Sequence, residues 1–84
     1  MLYLRNEINR LLCKFQDLRE ERDKLVYTYD YISLFISENE APNVNMKELK
    51  SLRSQVLKDI KEQNRRLGEI TKSINKLNKS LEEP

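Results

Sequence analysis

Apolar residues recur along the first half of the chain in alternating steps of three and four positions. Ten of the eleven members of this series are apolar, and the exception is Arg22. Such steps keep the side chains on one face of an α-helix, where they form the a and d positions of a coiled-coil heptad. The pattern predicts a first helix over about residues 2–38 with a seam of Met1, Leu4, Ile8, Leu11, Phe15, Leu18, Arg22, Leu25, Tyr29, Ile32 and Ile36.

The pattern stops over residues 39–45, because Pro42 cannot continue a regular helix. Asn45 is a residue type that caps helix N-termini, and Glu48 follows three positions later, as in a capping box. A second helix is therefore predicted over about residues 46–81. Nine of its eleven seam positions are apolar, and the whole seam is Met46, Leu49, Arg53, Val56, Ile60, Gln63, Leu67, Ile70, Ile74, Leu77 and Leu81.

Two amphipathic helices joined by a short loop predict an all-α fold, an antiparallel helical hairpin with coiled-coil packing. The a positions of one helix then meet d positions of the other, so alternative alignments differ by whole heptads. The favoured alignment places Arg22 opposite Gln63 and Glu21 beside Arg66, whereas a shift of one heptad brings Glu21 onto Asp59. It also pairs Ile36 with Leu49, Tyr29 with Val56, Phe15 with Ile70 and Leu4 with Leu81. A polar layer of Arg22 and Gln63 is predicted to set this register.

The size of the chain favours assembly with further helices. It has 84 residues, and a single core in so small a domain rarely supplies more than about 3–5 kcal/mol. A lone cysteine excludes an intrachain disulfide, which leaves oligomerisation as the remaining means of support. We therefore expect a four-helix bundle or a larger helical oligomer, formed with itself or with another helical protein subunit.

A group of aromatic and aliphatic residues lies outside the first seam. Tyr27, Tyr31 and Leu34 follow helical spacing on the opposite face, and Phe35 flanks the seam. A helix that is apolar on two faces is normally buried on both, and one partner helix cannot cover both. These four residues are the predicted partner-binding surface, and the predicted function is a non-enzymatic coiled-coil module for protein–protein association. The simpler alternative is that the tyrosines tolerate exposure.

Basic side chains line the outer face of the second predicted helix. Residues 41–84 carry ten basic and six acidic side chains, a net of +4, whereas residues 1–40 carry six and eight, a net of −2. Such a surface binds nucleic acid or anionic membrane in other proteins, which is the alternative function. Glu62 and Glu69 interrupt it and no aromatic residue interleaves, so a solvated helix face is favoured. This basic ridge consists of Lys58, Lys61, Arg65, Lys72, Lys76 and Lys79.

The composition leaves little room for catalysis. Without histidine there is no His-assisted nucleophile and no His metal ligand, and Cys13 has no histidine to activate it. We expect no enzymatic activity and no cofactor. No apolar run reaches the 18–20 residues of a membrane span, and the first residues lack the regions of a secretory signal. With a lone thiol, this favours an intracellular, cytoplasmic protein.

One short stretch carries the pattern of a known enzyme family. The sequence LRNEIN at residues 4–9, followed by Glu21 and Arg22, resembles the first helix of the all-helical chorismate mutases. That family begins L-R-x-x-I-D and has a second active-site arginine seventeen residues after the first, a spacing that Arg5 and Arg22 share. The resemblance implies a helical enzyme whose two arginines bind a dicarboxylate. The family's lysine has no match near Ser33, and its acidic-Arg motif at the second helix is absent.

Overall fold

The structure is a computed structural model and describes residues 2–38 and 45–82. Helix α1 spans Leu2–Glu38 and helix α2 spans Met46–Glu82, with 37 residues each. The predicted break at Pro42 lies outside the described residues.

Helix α2 begins with a side-chain cap. The backbone N–H of Glu48 donates a hydrogen bond to Oδ1 of Asn45 over 3.2 Å. The N–H of Leu49 donates to the carbonyl oxygen of Asn45, also over 3.2 Å. Asn45 therefore satisfies a backbone donor of the first turn that no helical carbonyl can reach, as an N-cap residue does.

The two helices pack against each other as an antiparallel hairpin, which confirms the predicted fold class. Two hydrogen bonds between the helices fix the alignment: Arg22 Nη1 donates to Asn64 Oδ1 over 3.2 Å, and Gln63 Nε2 donates to Glu21 Oε2 over 3.1 Å. Both join residues within one position of the predicted Arg22–Gln63 layer. The hairpin is long and thin, with extents of 67, 14 and 14 Å.

The two heptad seams form the core. Every described seam position is buried or half-buried, and the other described residues that are not exposed are Glu7, Ser33, Phe35 and Leu57. The buried apolar side chains are Ile8, Leu11, Ile32, Val56, Ile60, Leu67 and Ile70. No side chain among the described residues is fully buried. Two helices alone therefore leave part of every seam side chain exposed to solvent, because each seam is covered by a single partner helix.

The polar layer divides this core into two apolar halves. On the loop side, Ile32 packs with Val56 and Ile60, and Leu25, Tyr29 and Ile36 lie against them. The other buried residues lie on the side of the chain termini. Neither described helix has an apolar stretch of the length that a membrane crossing would need.

Candidate interaction surface

The predicted partner-binding residues lie on α1 near its C-terminal end. Tyr27, Tyr31 and Leu34 are 74%, 63% and 55% exposed, whereas the seam residues between them face α2. Spacings of four and three residues place the three side chains in one stripe, one turn after another. Together with Asp30 they border a shallow hollow of about 230 Å³. We call Tyr27, Tyr31 and Leu34 the outer stripe.

Phe35 connects the outer stripe to the hairpin seam. It is half-buried and lines a second hollow of about 190 Å³ with Tyr31, Ile32 and Leu49. The structure therefore brings Tyr31 and Phe35 together and adds Leu49 from α2. Because Leu49 occupies a seam position, sequence reasoning assigned it to the core and missed that it also reaches this hollow.

The polar layer contains four side chains instead of two. Arg22 and Gln63 do not bond to each other: Arg22 reaches Asn64, and Gln63 reaches Glu21. Arg22 also forms an ion pair with Asp23 over 3.2 Å. Sequence reasoning missed Asn64 as a member, although it directly follows Gln63 and so lies beside the seam.

A predicted ion pair between Glu21 and Arg66 does not form. Both side chains line the same central groove of about 470 Å³, but Arg66 Nε pairs with Glu62 at 3.4 Å instead. Glu62 lies one turn before Arg66 on the same helix, so this contact needs no reach across the groove. Glu21 is left to accept the hydrogen bond from Gln63.

The basic ridge is exposed along α2, and its central member is neutralised. Arg65 forms ion pairs with Glu62 and Glu69, one turn away on either side. The hydrogen bond from Arg65 holds the pKa of Glu62 below its ordinary value, and the charges of Arg65 and Arg66 act in the same direction. The same hydrogen bond, together with both carboxylate charges, raises the pKa of Arg65. The paired Arg65 therefore separates the lysines of the ridge into two groups.

The lysines of the ridge are exposed and unpaired within the part of the chain that the structure describes. None of them lies within ion-pair distance of a carboxylate there. Those on the loop side of Arg65 are Lys58 and Lys61, and those beyond it are Lys72, Lys76 and Lys79.

The remaining candidate residues do not converge on a site. Cys13 is free and exposed. Arg5 is exposed, whereas Arg22 belongs to the polar layer. The two arginines lie on the same helix, about 26 Å apart for seventeen residues at 1.5 Å each, so the hairpin does not bring them together. In residues 2–38 and 45–82 no cluster of three or more His, Cys, Asp or Glu could hold a metal ion.

Comparison with known proteins adds no relative, since no family model, curated protein or solved structure matches the chain.

Proposed function

We propose that the hairpin is a non-enzymatic interaction module that associates with a second copy or with another helical subunit. The contact surface is the outer stripe with Phe35 beside it. The observation that carries the proposal is the exposure of two tyrosines and a leucine in consecutive turns on the face of α1 that α2 cannot cover.

The incomplete burial of the hairpin seam supports the proposal. Leu25, Tyr29 and Ile36 pack against the core cluster and yet are only partly buried. Covering an aromatic or aliphatic side chain stabilises an assembly by about 1.5–3 kcal/mol. A further helical layer against the open side of the seam, on a different face of α1 from the outer stripe, would therefore supply what a core of two helices lacks, as in a four-helix bundle. An intracellular setting, which the free thiol of Cys13 favours, is part of the proposal.

The test charges the outer stripe and leaves the seam intact. The double variant Tyr27→Glu with Tyr31→Lys should lose association while keeping its helicity, because both side chains point away from α2. Losing two buried tyrosines at about 1.5–3 kcal/mol each would move a micromolar assembly into the millimolar range. Sedimentation over a concentration series measures the mass, and circular dichroism measures the helicity.

A matched control places the same charges elsewhere on α1. Asn9→Glu with Cys13→Lys introduces the same two charges at the same spacing on an exposed part of the helix and should leave the mass unchanged. An unchanged oligomer after the stripe substitutions would contradict the proposal. Loss of helicity at low temperature would also contradict it, since the tyrosines would then belong to the core of the hairpin.

The second candidate function is binding of a phosphate backbone or an anionic membrane by the basic ridge. The exposed lysines of the ridge, which form no ion pair within the described residues, favour it. Retention on DNA or on anionic vesicles that falls steeply with salt, and that Lys72→Glu with Lys76→Glu abolishes, would establish it.

A further inference from the structure

We draw no further inference here: the strongest candidate, the apolar hollow of Leu12, Phe15 and Ile74 on the open side of the seam, is an unpartnered face, and nothing in the structure shows what covers it.

Discussion

At the scale of residues, the polar layer combines satisfied and unsatisfied groups. Gln63 donates to Glu21 through its amide nitrogen, but its buried Oε1 accepts no hydrogen bond in the described structure. The hydroxyl of Ser33 is likewise buried without a hydrogen bond there. A buried polar atom that lacks its hydrogen bond costs about 1–3 kcal/mol. The unsatisfied Oε1 of Gln63 therefore lowers the stability of the hairpin at the middle of the seam.

Replacing the layer by leucine should raise stability and weaken the choice of alignment. For Arg22→Leu with Gln63→Leu we expect the free energy of unfolding to rise by about 1–3 kcal/mol, because unsatisfied and ionic groups are exchanged for packed apolar ones. With a continuous apolar seam, alignments that differ by a heptad become closer in energy. Urea unfolding measures the first effect, and the number of NMR peak sets measures the second.

Arg53→Leu is the matched control for this substitution. Arg53 is also a half-buried seam residue, but it lies opposite Ile32 and has no polar counterpart across the seam in the predicted alignment. Its replacement should raise stability and keep one set of peaks. If the double variant at positions 22 and 63 also keeps one mass and one set of peaks, the layer does not specify the register.

Gly68 affects the stability of its own helix and not the packing of the two helices. It lies in the interior of α2, and a Cβ built on it meets no atom within 4 Å apart from its chain neighbours and the backbone of its own helix. The structure therefore contains no close approach that would require glycine at this position. Its consequence is confined to the helix backbone, where glycine is about 1 kcal/mol less favourable than alanine.

At the scale of elements, the two helices use their outer faces differently. Helix α1 exposes the outer stripe, whereas α2 carries a network in which Glu62 pairs with Arg65 and Arg66, and Arg65 also pairs with Glu69. These contacts span three or four positions of one helix, so they stabilise α2 without involving α1. Helix α1 has a similar pair of its own between Arg10 and Glu7, but that pair lies far from the outer stripe and leaves the stripe available.

The network on α2 should make part of the stability depend on pH. Because Arg65 holds the pKa of Glu62 below its ordinary value of 4.5, the Glu62 carboxylate stabilises the folded state above about pH 4.5. That contribution is lost as the pH falls through the lowered pKa. The free energy of unfolding of the original chain should therefore exceed that of Glu62→Gln at pH 7, and the difference should shrink towards pH 3. Urea unfolding at both pH values measures it.

Asp17→Asn provides the control for the pH experiment. Asp17 is an exposed carboxylate on α1 that has no ion pair among the described residues. Its neutralisation should change the free energy of unfolding by a similar amount at both pH values. A Glu62→Gln variant that behaves in the same way as Asp17→Asn would show that the network contributes nothing in solution, as happens for many exposed ion pairs.

At the scale of the whole molecule, the antiparallel arrangement makes a direct distance prediction. Cys13 is free and exposed, and position 73 lies near it on the other helix. Axes of packed helices are 8–10 Å apart, so spin labels at Cys13 and an introduced Ser73→Cys should lie within about 25 Å in one chain. Double electron–electron resonance measures this distance.

Dilution with unlabelled chain separates distances within a chain from distances between chains. The short distance should persist at a large excess of unlabelled protein. A single straight helix would separate the two labels by about 90 Å, for 60 residues at 1.5 Å each. A distance of that length, or a short distance that disappears on dilution, would contradict the hairpin.

The seam residues were predictable because heptad spacing is a property of one helix and needs no knowledge of its neighbour. Leu4, Ile32 and Val56 lie where a regular α-helix puts them, and each faces the partner helix. The cap at Asn45 was predictable for the same reason, since its hydrogen bond to Glu48 spans three residues. The outer stripe follows equally from spacing, and its role in binding stays a prediction.

The sequence by itself determined the helices, the two seams and the alignment to within a residue, because all of these follow from helical periodicity and the signs of charges. The tertiary structure alone decided which polar groups meet. Glu21 bonds to Gln63 and Arg22 to Asn64, whereas Arg66 pairs with Glu62. Long polar side chains can reach several partners of similar energy. Their choice depends on differences of an ångström or less between two packed helices, which no spacing along the chain contains.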